Sequence, residues 1–301
     1  MESFFIFVLE QQYSTLFLFI LVGFIAQVID GGIGMGFGLI SNIILISMGF
    51  PPVVSSASVH TAEVFTTGFS SFFHLRAKNI KKDLFVPLVT TGVIGGVLGA
   101  YLLSSLEGKY IKPFIVIYLL IMGIAIIHKA LQKMERIEIE KRVFPLGIIS
   151  KTFLKLVYFR HSSQKVLSKK QLSGLGLVGG FLDSIGGGGW GPVVTSTLVA
   201  KNHHPRYSIG STSAAEFFVT FATSLTFFTV IGLRNWQIIA GLLIGGMIAA
   251  PLSAFLCRAI VPRVLMLIIG TLVILLSFVS FHLVLNELFP SFSLFFSNKF
   301  S

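Results

Sequence analysis

Charge is what this sequence has least of. Of its 301 residues, 12% are charged and 54% are hydrophobic, and the mean hydropathy is +0.88. A soluble domain carries roughly 25% charged residues. A large soluble helical core is therefore a poor fit, because its helices would still need polar outer faces. Four runs hold no charge at all: Leu84–Ser105, Phe114–Ile127, Ala240–Leu256 and Val264–Phe281. Each is of the order of the ~20 residues that carry a helix across a hydrocarbon core. Cysteine is almost missing. Cys257, inside an apolar run, is alone and can form neither an internal disulfide nor a zinc site. Glu2 and Glu10 precede the first apolar stretch, but no Lys or Arg does. The basic region of a signal peptide is thus lacking, and targeting is expected through the spans themselves. There is no G-x-S-x-G elbow and no His-Glu-x-x-His helix, so no enzyme is expected.

The net charge of +11 is concentrated. Between Lys129 and Lys170 lie eleven Lys or Arg and three Glu, which supply +8 of it. A basic loop between spans marks the cytoplasmic side and can touch anionic lipid headgroups. Nucleic acid is not an expected partner.

The chain repeats itself. Residues 23–38 read GFIAQVIDGGIGMGFG and residues 176–191 read GLVGGFLDSIGGGGWG. A shift of 153 sets Asp30 on Asp183, Gly34 on Gly187 and, without a gap, Pro52 on Pro205, Ser58 on Ser211, Glu63 on Glu216 and Thr67 on Thr220. Rare acids matching at one shift indicate duplication. The expected organisation is a first membrane repeat over 1–130, a basic cytoplasmic linker over 131–171 and a second repeat over 172–301. Each half reads as an apolar stretch (15–29, 172–185), a glycine cluster (31–38, 186–191) and a short second stretch (39–48, 192–200). A Pro-marked turn, a helix (54–75, 207–231) and two more spans follow (84–105 and 110–130; 236–257 and 261–284). Counting crossings from the basic loops places the halves in opposite orientation, with both termini outside. The expected fold class is an all-α polytopic membrane protein. It comprises two inverted repeats, each a glycine-broken helical hairpin plus three transmembrane helices, about eight membrane segments by this count.

The stretches flanking the glycines are shorter than a span, so each pair is expected to dip partway in, with the two tips meeting near the midplane. Irregular backbone survives there only beside protein or a watery cavity. The second arm of each hairpin begins at the glycines, and its free N–H groups and positive dipole end point at the tip. No Lys or Arg is expected inside any span. The arrangement suits a small anion bound by Gly31, Gly32, Gly34, Gly36, Gly186, Gly187, Gly188 and Gly189, with hydroxyls such as Ser58 and Ser211. Gly92, Gly95, Gly96, Gly99, Gly241, Gly245 and Gly246 recur at helical spacing and are read as helix packing. Gly186, Gly188 and Gly191 fit G-x-G-x-x-G, but without a strand before them a nucleotide fold is rejected.

Asp30, Glu63, Asp183 and Glu216 are the acids placed at membrane depth, where ionisable groups point to function. They cap half-helices, satisfy freed backbone groups or carry coupling protons. His60, one turn before Glu63, is a candidate proton site; its repeat mate is Ser213. His74 and Arg76 end their helix at the cytoplasmic face. His203 and His204 lack a third metal ligand, and no metal site is expected.

AQVIDGGIGMGFG and GGFLDSIGGGGWGP, followed by SASVHTAEVFTT and STSAAEFFVT, together resemble the TauE/SafE family of membrane permeases, also called the sulfite exporter or TSUP family. The resemblance spans nearly the whole chain except the linker and both tails. It implies a secondary transporter of the plasma membrane without a bound cofactor, moving sulfite, an organosulfonate or a related sulfur compound, with the permeation site at Gly31–Gly38 and Gly186–Gly191. The linker is longer and more basic than the resemblance leads one to expect. The reading is a permease for a small anion, whose acids order the tips or carry coupling protons. An anion channel is the alternative, and an intramembrane enzyme or assembly factor a more distant one. Membrane lipids are the other expected partner, and nothing marks an oligomer interface.

Overall fold

A computed structural model describes residues 2–33, 36–143, 166–201, 203–232, 235–259 and 262–288. Every regular element among them is helical. The first half gives α1 (Glu2–Ile33), α2 (Phe37–Ser47), α3 (Pro52–Arg76), α4 (Lys82–Ser105) and α5 (Gly108–Val143). The second gives α6 (Lys169–Gly186), α7 (Gly191–Ala200, opening on a π turn), α8 (Pro205–Ile231), α9 (Trp236–Ala259) and α10 (Pro262–Leu288). Helix is the answer the bilayer demands, since it satisfies each backbone group within one segment. Four stretches are long and apolar enough to cross: Lys82–Ser105, Gly108–Leu131, Arg206–Ile231 and Met266–Asn286. Large apolar side chains point outward, as on Phe69, Phe114 and Met247, each about two-thirds exposed or more. That is the surface lipid would cover.

Local signals set the boundaries. Pro52 and Pro205 open α3 and α8, where a missing N–H costs nothing. Ser168 and Gln171 form a capping box at the head of α6, each side chain accepting the other's backbone N–H. Helix α6 therefore begins about a turn before residue 172.

The helix lengths differ from expectation in three places. First, α1 starts at Glu2 rather than near residue 15. Its 32 residues span about 48 Å at ~1.5 Å each, more than a partial dip needs. Second, α1 runs through Gly31 and Gly32 instead of breaking there, because two glycines at the end of a long helix cost it only about 1 kcal/mol each. Third, α5 continues past residue 130 to Val143, since 131–143 is rich in Glu, Lys and Arg, all good helix formers. The rest of the basic linker, 144–165, lies outside the described residues, as does Gly34. Lys112 also departs from the reading, lying inside α5 at only 8% exposure. Its place in the first turn or so of the helix lets a long aliphatic stem be buried.

The glycine-broken segments fold back on themselves. At the first tip the Phe37 N–H donates to Asp30 Oδ1, and at the base of the same arms the rings of Phe19 and Phe50 lie 5.8 Å apart. At the second tip Asp183 binds the backbone beyond the glycines, and at its base the Leu167 N–H donates to His203 Nε2 at 3.2 Å. Both are helical hairpins.

The halves interlock. The most extensive contacts pair α1 with α9, α4 with α6 and with α8, α5 with α10 and α3 with α8, always across halves. Small residues make the approach possible. A Cβ at Gly95 would meet the Leu177 backbone, one at Gly241 the Phe19 side chain, and one at Gly245 the backbone of Ile20 and Phe24. α3 and α8 run antiparallel, as Ser71 against Ser213, Thr67 against Thr220 and Thr61 against Ser224 record in sequence. Equivalent helices of the two repeats thus point opposite ways.

Candidate functional site

The two hairpin tips touch. Gly188 lies so close to Gly38 and Leu39 that a Cβ on it would fall within the α2 backbone, and Gly38 likewise faces Gly187 and Glu63. Asn42 on α2 donates from Nδ2 to the Gly186 carbonyl at 2.6 Å, tying one tip to the other. Gly187 ends α6 in the left-handed region at φ 66, a conformation that glycine adopts without cost.

Beside this junction lies a cavity of about 410 Å³. α3 contributes one face of a helix at spacings of three, four, seven and eleven residues: Glu63, Thr66, Thr67, Ser70 and His74. α1 adds Gln27 and Asp30, α8 adds Ile209, Ser213 and Glu216, and the tips add Gly36, Gly38, Gly188 and Gly191. All four intramembrane acids reach the wall, since Asp183 lines it too. No Lys or Arg is among its described lining residues. The cavity runs from the tips toward the α3 end that carries Arg76, where Arg206 binds Asn79 Oδ1 and the Ala77 carbonyl.

The two aspartates hold backbone. Asp183 Oδ1 accepts the N–H groups of Gly189 and Trp190 at 2.7 and 2.9 Å, so one carboxylate caps the free end of α7. Its Oδ2 lies 3.3 Å from His60 Nε2. Asp30 plays the same part for α2 through Phe37, at 3.3 Å. Glu63 Oε1 sits against Gly38, while Oε2 is buried without a hydrogen-bond partner.

The expected site residues divide. Gly36 and Gly188 line the cavity with the four acids. Gly186, Gly187 and Gly189 build the second tip without joining its wall: Gly186 gives its carbonyl to Asn42, and Gly186 and Gly189 both lie against Tyr118. Gly31 and Gly32 belong to the last turns of α1. Gly34 is outside the described residues. Ser58 and Ser211 are buried and absent from the wall. Ser211 Oγ instead accepts the Lys81 N–H at 2.9 Å, ordering the approach to α4. His60 is fully buried and also off the wall, with Nδ1 on the Ser56 carbonyl at 2.8 Å. The hydroxyls that do line the cavity, Thr66, Thr67, Ser70 and Ser213, were not singled out from the sequence. Their signal was there, as a polar stripe at helical spacing on an otherwise apolar helix.

Residues 19–279 match the protein family described as Sulfite exporter TauE/SafE. Among curated proteins, the chain is 35% identical over 267 residues to "Probable membrane transporter protein YtnM" of Bacillus subtilis (strain 168), a match covering 88% of this chain and 82% of that protein. No solved structure matches it.

Proposed function

This chain belongs to the sulfite exporter TauE/SafE family and is a membrane transporter; we propose that its cargo is a small oxyanion, first sulfite, an organosulfonate or a related sulfur oxyanion. The observation that carries this reading is the cavity at the touching hairpin tips, walled by glycine backbone and hydroxyls. Hydroxyls and amides replace the water of an oxyanion without the strong hold of a buried cation. The four carboxylates on the same wall would repel an anion while ionised. A proton travelling with the cargo removes that penalty, so the transporter is proton-coupled. Alternating access follows from interlocked, oppositely directed repeats around one central site. The membrane is the plasma membrane, with the basic linker cytoplasmic and both termini outside.

The test is uptake of labelled sulfite, thiosulfate and a simple sulfonate into proteoliposomes, with and without an imposed pH gradient. Accumulation of one anion driven by protons supports the reading. Downhill flux indifferent to pH would instead make the protein an anion channel, and no flux of any of the three would end the sulfur assignment.

A further inference from the structure

The cavity has a centre that both repeats share and an arm that is built once. At the centre Asp30 stands with its mate Asp183, Glu63 with Glu216 and Gly38 with Gly191, each pair related by the shift of 153. The arm runs from Glu63 along α3 through Thr66 and Ser70 to His74, and Ile209 and Ser213 of α8 share its wall. The mates of these arm residues are Val219, Thr223 and Phe227 on α8 and Ser56 and His60 on α3. None is among the described lining residues of the cavity, and all five are buried. Because α3 and α8 are antiparallel, the mates extend from the centre in the opposite direction. The molecule thus holds two copies of one half-site, one open and one closed.

The closed copy differs from ordinary core. Thr223 Oγ1 is buried and has no hydrogen-bond partner among the described residues. A hydroxyl left that way is costly, whereas its mate Ser70 meets the cavity. Helix α4 presses on it: a Cβ at Gly96 would lie 2.6 Å from Thr223 Oγ1, while one at Gly246 of α9 would find Thr66 of the open arm at 3.6 Å. Two bonds between the repeats hold this copy shut. Ser56 Oγ donates to the Ser184 carbonyl at 2.5 Å, and His60 Nε2 lies 3.3 Å from Asp183 Oδ2. The rings of His60 and Phe227 seal it 6.2 Å apart, and their mates Ser213 and His74 both line the open cavity.

We infer that the buried face of Ser56, His60 and Thr223 is the outward half of the cargo site, which opens to the outside and presents its hydroxyls to the small oxyanion when the arm of Thr66, Ser70 and His74 closes. This rests on the reading of the chain as an alternating-access transporter with its basic loops cytoplasmic. Inverted repeats supply each half-site with a mate on the other side of the membrane. The acids at the centre belong to both states. Opening the outward half frees the Thr223 hydroxyl for a partner, and the bonds of Ser56 and His60 are the ones that break.

Thiol labelling of the full-length protein tests this, in a Cys257→Ser background, with a membrane-impermeant maleimide applied to intact cells and to inverted vesicles. An irreversible reagent collects a minor state however briefly it is visited. Ser70→Cys should label from the cytoplasmic side and Thr223→Cys from the outside, and the label on Thr223→Cys should abolish sulfite flux. Thr223→Cys that moves sulfite yet stays unlabelled from the outside would overturn the proposal, as would its labelling from the cytoplasmic side. Should Thr223→Cys not fold, Ser56→Cys is expected to label from the outside, and its protection there in a transporting protein would overturn the proposal equally.

The labelling needs no cargo, so the two readings fail separately. Ser70→Cys and Thr223→Cys labelled from opposite sides, in a protein that moves neither sulfite, thiosulfate nor a sulfonate, would support the two half-sites and overturn the cargo reading alone. Labelling of both variants from both sides would mean one continuous pore and would overturn the proposal.

Discussion

Thr67 and Thr220 meet hydroxyl to hydroxyl at 3.4 Å across the α3–α8 contact, and they are one position of the repeat seen twice. A residue that touches its own mate lies on the axis relating the halves. That axis passes beside the cavity, whose wall includes Thr67.

Thr67→Cys with Thr220→Cys, in a Cys257→Ser background, should cross-link on oxidation. A disulfide needs Cβ atoms about 3.8 Å apart, a small further approach for side chains already in contact. The expected result is an intramolecular bridge that stops sulfite flux, with recovery on reduction. Flux unchanged in the bridged protein would mean that α3 and α8 do not move against each other.

Gly95 and Gly174 should respond to alanine with opposite signs. A Cβ at Gly95 strikes the Leu177 backbone, whereas one at Gly174 meets nothing within 4 Å. Gly95→Ala is expected to cost about 1–3 kcal/mol as overpacking. Gly174→Ala should gain up to about 1 kcal/mol from helix propensity. Thermal melting in detergent reads both.

Asp183→Ala should be among the most damaging single changes. It strips the acceptor from the buried Gly189 and Trp190 amides and leaves His60 Nε2 without its carboxylate. Each orphaned buried donor costs about 1–3 kcal/mol. Asp183→Asn keeps one oxygen for the amides and should melt far closer to wild type.

His203 should make the start of α6 sensitive to acid. Burial first, and the charge of Lys81 second, hold its imidazole below the ordinary 6.5, and its Nε2 accepts the Leu167 N–H only while neutral. A lowered folded value means that this stabilisation is complete above about pH 6.5 and fades as pH falls through the folded value. Proteolysis near residue 166 should therefore rise on acidification, and His203→Leu should remove the pH dependence.

The repeat, the broken hairpins and the helix count were legible because glycine, proline and rare acids act locally and survive duplication. Asp30 and Asp183 stood out for the same reason: acids are scarce at membrane depth. What the sequence could not rank was which hydroxyls reach the cavity. Ser211 looks as eligible as Ser213, yet one turns to the Lys81 amide and the other to the cavity. That choice depends on where α4 enters, a contact 130 residues away. His60 was similarly ambiguous until Asp183 of the other half was set beside it. Its mate Ser213 is shorter, and the cavity lies on the Ser213 side.

The cross-pairing of α1 with α9 and of α4 with α6 also bears on biosynthesis. Its contacts have high contact order, which slows folding because long loops must close before burial rewards them. The first repeat emerges with its glycine stripes facing lipid and no partner to cover them. It has to wait in that state, as a set of inserted but unassembled helices, until more than a hundred further residues have been made. Neither half carries its own folding information to completion. Two separately expressed halves should thus yield a functional transporter only when both are present in the same membrane.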